Sequence, residues 1–223
     1  EHYGYHVYII TWEQGGHSIV YPLSPKVTHV DWGILFYRQY QYGLFKRMFM
    51  QWRMKKEFFK KLSNFVHTTQ ADIVIGASCE FTTMAGMDLL QRKTHTILET
   101  HSMRTSIEKN NPPAGNLLMR WAFKRRDKQL HQYIKHMSAF VTLTHNDAKD
   151  WSDITPQARI IPNMLHRYPA EISPDKKTQK RIITAGRLVE QKGYDLLLDA
   201  WSKVHQKHPE WILDIYGEGE DKT

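Results

Sequence analysis

Arg187 and Lys192 stand inside the segment GRLVEQKG, residues 186–193, between two glycines. A β-branched run from Arg181 to Ala185 leads into it, and Tyr194 to Val204 follows with Leu197, Leu198, Trp201 and Val204 at helical spacing. A helix opening on such a loop presents unpaired backbone N–H groups and the positive end of its dipole. Two cations beside that helix start make a place for an anion, and a diphosphate suits it. A second apolar run, Trp211 to Tyr216, then ends on Gly217-Glu218-Gly219. Strand, loop, helix and strand in this order belong to a parallel sheet, where ligands sit beyond the carboxyl ends of the strands. Gly186, Gly217 and Gly219 are therefore candidates to border one crevice with Arg187 and Lys192.

The stretch GRLVEQKGYDLLLDAW, followed by a strand and GEGED, resembles the donor-site signature of glycosyltransferase family 4, the retaining GT-B enzymes that use nucleotide sugars. The resemblance is strong over Arg181 to Asp221 and looser upstream. It implies that Arg187 and Lys192 hold the donor's diphosphate. It also implies transfer of a sugar, with retention, from a nucleotide-diphosphate donor to an acceptor hydroxyl, of the hexosyltransferase type used in cell-surface polysaccharide or glycolipid synthesis.

The elements that would position such a site run along the whole chain. Runs from His6 to Thr11 and from Val27 to Val30, with Gly15-Gly16 and Pro22 to Pro25 between them, read as strands. In the resembled fold they are the second and third strands of a Rossmann-like domain, whose first strand and glycine-rich loop would precede Glu1. Leu44 to Val66 reads as a helix with Phe45, Met48, Phe49, Trp52, Phe59, Leu62 and Val66 on the core face. Leu44, Met50, Met54, Phe58 and Phe65 widen its apolar sector. Asp72 to Ala77 reads as a buried strand, Phe81 to Leu90 as a short helix and Thr94 to Glu99 as the next strand.

Glu99 leads to Thr100-His101-Ser102, which puts His101 at a strand's carboxyl end. An imidazole there can donate a hydrogen bond to a sugar hydroxyl, and the resemblance gives a histidine in this place contact with the donor or the reacting sugar. His101 is the catalytic candidate. Among 13 histidines, it is singled out by position. NNPPAG, residues 110–115, is a turn cluster, and Leu117 to His136 is a long basic helix. Ala139 to Leu143 is a strand ending on Thr144-His145-Asn146-Asp147, with Asn146 a candidate helix cap and Thr144 and His145 candidates for the cleft. Arg159 to Asn163 gives a strand closed by Pro162, and the resemblance places Asn163 near the cleft at the interdomain crossing.

These readings give an α/β chain of GT-B type. A Rossmann-like domain over residues 1–165, lacking its first strand, is followed by a linker over 166–180 rich in proline and lysine. The first βαβ unit of a second Rossmann-like domain occupies 181–223. Both ends read as cut, and the glutamate pair that the resemblance places further along the second domain is not among these 223 residues. The piece alone is thus expected to be catalytically silent.

Composition narrows the partners. With 41% hydrophobic residues the chain can bury a full core. The net charge of +8 suits nucleic acid, anionic lipid or a phosphorylated ligand. No zinc spacing or paired aromatic strands accompany it, so no nucleic-acid partner is expected. A single cysteine excludes an internal disulfide and points to the cytoplasm, and no apolar run is long enough to span a bilayer. His205 and His208 lack ligand partners, so neither a protein-held metal nor a cofactor is expected and the nucleotide sugar is a substrate. The basic, aromatic 44–66 helix, with Lys46, Arg47, Trp52 and Arg53, is a candidate to lie on an anionic inner membrane face. An α/β module that binds anionic lipid or a phosphorylated partner without chemistry is the alternative.

Overall fold

A computed structural model describes residues 4–19, 22–90, 94–108, 117–164 and 180–219, in two compact units, Glu1–Met164 and Leu165–Thr223. Most of the expected 166–180 linker, and the 110–115 turn cluster, lie outside the described residues.

The first unit opens with parallel strands β1 (Val7–Thr11) and β2 (Val27–Asp31), in register from Val7 opposite Val27 to Thr11 opposite Asp31. A 3-10 turn, Phe36–Gln41, leads into the long helix α1 (Leu44–Thr69). There follow β3 (Ile73–Gly76), α2 (Phe81–Asp88), β4 (His95–Glu99), α3 (Arg104–Ile107) and α4 (Leu117–His136). β5 (Ala139–Thr142), α5 (His145–Asp150) and β6 (Arg159–Ile160) complete the unit. β3, β4, β5 and β6 lie in that order in one parallel sheet. Helices between successive parallel strands are what a crossover requires. Among the described residues β1 and β2 form a sheet of their own, not hydrogen-bonded to the other four.

The core of the four-stranded sheet is built from Met84 and Met87 of α2, Leu130 and Ile134 of α4, Leu98 and Phe140 of the sheet, and Trp151. A smaller cluster joins Ile34 and Phe36 to Met54 and Phe58 of α1, with Trp12 and Trp32 packed beside them. Ring edges meet ring faces there: Trp12 and Trp32 lie 5.2 and 5.7 Å from Phe58. Where α2 crosses α1, a side chain on Gly86 would come within 2.9 Å of both Leu62 and Phe58, so the crossing needs the glycine.

This packing corrects the reading of α1. Phe45, Met48, Phe49 and Trp52, expected in the core, are exposed, whereas Met54 and Phe58 are buried. Aromatic residues on both sides of the helix made its period ambiguous, and the position of Ile34 and Phe36 decides it. Asn146 does not cap α5 either. Thr144 does, its hydroxyl accepting from the Asp147 N–H at 3.1 Å. The last strand is shorter than expected, ending before Pro162, which has no N–H to donate. The Phe36–Gln41 turn and α3 had no sequence signal, because such short elements carry no period.

The second unit is one βαβ crossover: β7 (Arg181–Ala185), a 3-10 turn over Glu190–Lys192, α6 (Tyr194–Lys207) and β8 (Ile212–Tyr216). β7 and β8 are parallel, from Arg181 opposite Ile212 to Ala185 opposite Tyr216.

Trp151 is the largest fully buried side chain, edge-on to Phe140 at 5.4 Å and covered by the Arg104 guanidinium 5.0 Å from its ring. Trp151→Ala is expected to lower unfolding stability by about 3–5 kcal/mol, measured by urea titration. A loss under about 1 kcal/mol would contradict this account of the core.

Candidate functional site

In the second unit the loop after β7 continues the parallel ladder past the strands. The Gly186 N–H donates to the Tyr216 carbonyl and the Leu188 N–H to the Glu218 carbonyl, each at 2.9 Å. Close approach is what allows it. A side chain on Gly217 would run into the Gly186 carbonyl, and one on Gly219 into the Leu188 carbonyl. The chain then turns through Glu190–Lys192 and reaches Gly193 at φ +65°, a left-handed conformation that starts α6. The Leu197 N–H is bonded to the Gly193 carbonyl at 3.0 Å. Tyr194, Asp195 and Leu196, ahead of it, stand in the first turn, where backbone N–H groups lack intrahelical partners.

Arg187 and Lys192 are both exposed on this loop, and among the described residues neither has a carboxylate partner. Arg181 at the other end of β7 is, by contrast, paired with Asp214 through two hydrogen bonds of 2.8 Å. Gly186, Arg187, Lys192, Gly217 and Gly219 are thus brought together at one end of the β7–β8 pair.

In the first unit the carboxyl ends of β3 and β4 open a cleft of about 240 Å³. Its walls include Ser78 and Glu80 after β3, His101 and Ser102 after β4, Ser106 on α3 and Arg126 on α4. The Thr100 hydroxyl donates to the Ser102 carbonyl at 2.9 Å, which shapes the turn carrying His101. His101 Nε2 lies 3.6 Å from Glu99 Oε2. That is too long for a hydrogen bond, so the ring is not locked by this carboxylate. Arg126 reaches the cleft from α4, donating to the Ile107 carbonyl at 3.4 Å and to Asp127 at 3.2 Å. Hydroxyls, an imidazole, a carboxylate and a guanidinium around a small polar cavity suit a ligand rich in hydroxyl groups.

An ion-paired brace holds one wall. Arg104 Nε donates to Glu108 at 2.7 Å and its Nη1 to Asp153 at 2.6 Å, while His131 Nε2 meets the same Glu108 oxygen at 2.6 Å. This ties α3, and with it Ser106, to α4 and to the turn after α5. The Arg104 hydrogen bond holds the Asp153 carboxyl below its usual value.

Thr144, His145 and Asn163 follow β5 and β6, so they share the sheet edge with His101. All three are exposed and none lines the cleft. Thr144 is engaged with Asp147, accepting from its N–H and donating to its carboxylate at 2.7 Å. Lys46, Arg47, Trp52 and Arg53 lie exposed on the first half of α1. Ser78, Glu80, Ser106 and Arg126 were not singled out in the sequence. Ser78 and Glu80 directly follow the strand read at Asp72 to Ala77, so the strand-end rule that found His101 also reaches them.

Residues 170–223 match the family model described as glycosyl transferases group 1. The chain is 28% identical over 183 residues to an uncharacterized glycosyltransferase of Haemophilus influenzae, covering 78% of this chain and 46% of that protein. It is also 38% identical over 61 residues to the amylovoran biosynthesis glycosyltransferase AmsD of Erwinia amylovora, covering 27% of this chain and 16% of the relative. The chain therefore spans less than half the length of the curated relatives it matches. Its fold is similar to that of Staphylococcus aureus TarM, crystallised with fondaparinux, alpha-GlcNAc-glycerol and UDP. That likeness has a TM-score of 0.50 at 18% identity, over 74% of this chain and 32% of TarM. The likeness to TarM supports an α/β fold of GT-B type.

Cys79 also borders the cleft, and burial pushes its thiol up to about 11 against a hydrogen bond with Thr100. A thiol so shifted is no nucleophile at neutral pH. Alkylation of Cys79 by iodoacetamide, followed by mass spectrometry of its peptide, is expected to be slow near neutrality and to rise with a midpoint near 11. A midpoint at or below the ordinary thiol value of about 8.5 would contradict the burial.

Proposed function

We propose that the full-length protein is a retaining hexosyltransferase of glycosyltransferase family 4. It takes a sugar from a nucleotide-diphosphate donor to an acceptor hydroxyl, in the synthesis of a cell-surface polysaccharide or glycolipid. The observation that carries this reading is the pair of exposed cations, Arg187 and Lys192, which have no carboxylate partner among the described residues, inside the segment matched to glycosyl transferases group 1. The UDP and sugar compounds in the TarM crystal are consistent with a nucleotide-sugar donor and a sugar acceptor.

In this reading the bond from the anomeric carbon to the donor phosphate oxygen breaks and a bond to the acceptor oxygen forms. The acceptor loses its proton, and the nucleoside diphosphate leaves with the bonding electron pair. Negative charge grows on that leaving group, and cations already placed to meet it lower the barrier. Arg187 and Lys192 have that role, with Arg187 able to hold two phosphate oxygens and Lys192 acting as a point charge. No protein-held metal or cofactor is assigned. His101 is the group we assign to a hydroxyl of the reacting sugar, its Nε2–H donating. Gly186, Gly217 and Gly219 keep the loop against β8 and so place the two cations. Thr144, His145 and Asn163 remain border candidates at the same sheet edge as His101.

Thermal-shift screening of the full-length protein against a panel of nucleotide sugars tests the donor. The cognate donor is expected to stabilise it by about 2.7 kcal/mol at a hundredfold excess over its Kd. Proton NMR of the product from an α-linked donor should show an α linkage. A β-linked product would contradict retention, and no response to any nucleotide sugar would contradict the donor class.

A further inference from the structure

We infer that the first half of α1 is a docking surface for an anionic lipid bilayer. Leu44, Phe45, Met48, Phe49 and Trp52 recur at positions that share one side of a helix, and they are 69, 87, 60, 58 and 58% exposed. The buried residues of the same helix, Met54 and Phe58, pack on Ile34 and Phe36 and occupy the other side. One helix therefore carries two apolar faces, of which the described residues of this unit cover one.

The uncovered face has a basic rim. From Leu44 to Lys56 the helix holds no acid, and Lys46, Arg47, Arg53 and Lys56 are exposed. Among the described residues none of these four has a carboxylate partner. Three of them lie over aromatic rings instead: Lys46 over Tyr42 at 4.3 Å, Arg47 over Tyr40 at 4.2 Å, Lys56 over Trp52 at 5.4 Å. Tyr40 is itself 66% exposed, which extends the aromatic surface past the start of the helix. The first acid, Glu57, is paired with Lys61 at 2.8 Å.

Aromatic and long aliphatic side chains flanked by cations match the headgroup region of a bilayer, with the rings at the acyl boundary and the charges on the phosphates. No described helix is long and apolar enough to cross a membrane, so the contact would lie along the surface. Charge also argues against a second copy as the occupant. A two-fold pairing of this face would set its cations against their own images. An anionic lipid surface offers the opposite sign. The surface lies on residues apart from the loop assigned to the donor, so it stands whether or not that reading holds.

Vesicle flotation of the full-length protein tests the inference. The protein is expected to float with vesicles of phosphatidylcholine containing about one-third phosphatidylglycerol, and much less with phosphatidylcholine alone. Combining Phe45→Ser, Phe49→Ser and Trp52→Ser should lower partitioning about tenfold or more, with an unchanged melting temperature since all three are exposed. Lys46→Gln with Arg47→Gln and Arg53→Gln should remove the preference for the anionic vesicles. Equal recovery from the two vesicles, no flotation with either, or an unaffected serine variant would overturn the inference. So would a dimer in sedimentation that the serine substitutions dissolve.

Discussion

The end of β8 must lie flat against the loop that follows β7, and this close approach sets everything else in the second unit. Backbone hydrogen bonds from Gly186 and Leu188 to Tyr216 and Glu218 carry the pairing past the strands. They form only because Gly217 and Gly219 present no side chain to the facing carbonyls. The loop is thereby fixed before it turns through Gly193 into α6. The backbone carrying its two cations is held by this geometry, and among the described residues neither cation has a carboxylate partner.

The first unit solves a related problem with side chains. Its strands are parallel, so the turns after β3 and β4 emerge together and their polar groups converge. His101 is carried on a turn shaped by the Thr100 hydroxyl, and the opposite wall is set by Arg104 through Glu108, Asp153 and His131. Glu108 at the centre of that brace is 8% exposed, Arg104 and His131 are half-buried and Asp153 is exposed. The brace positions Ser106, and none of its charged groups lines the cleft itself.

Much of this was legible in the sequence where one period dominates. β7, α6 and β8 follow directly from a β-branched run, a helical spacing and a second apolar run, and α4 was read to the residue. His101, Arg187 and Lys192 were singled out because strand ends and helix starts are where parallel sheets place ligand-binding groups. Legibility failed where two answers satisfy the same pattern. α1 is apolar on both sides, and local spacing cannot say that Phe58 faces Trp12 and Trp32 while Phe49 faces outward. Thr144 and Asn146 are both good caps, and only backbone geometry chooses Thr144. Arg126 was one cation among many on α4, and packing of that helix against α2 makes it part of a cleft. Cys79, read as a packing residue, is half-buried and borders the same cavity.

The central claim is that Arg187 and Lys192 grip a diphosphate. Calorimetric titration of the full-length protein with a nucleoside diphosphate tests it directly, comparing the native chain with Arg187→Met combined with Lys192→Met. Loss of charge-assisted contacts worth about 3 kcal/mol or more together predicts affinity weaker by roughly two orders of magnitude, with binding of the bare nucleoside unchanged. Equal nucleoside diphosphate affinity in a double variant of unchanged melting temperature would contradict the account.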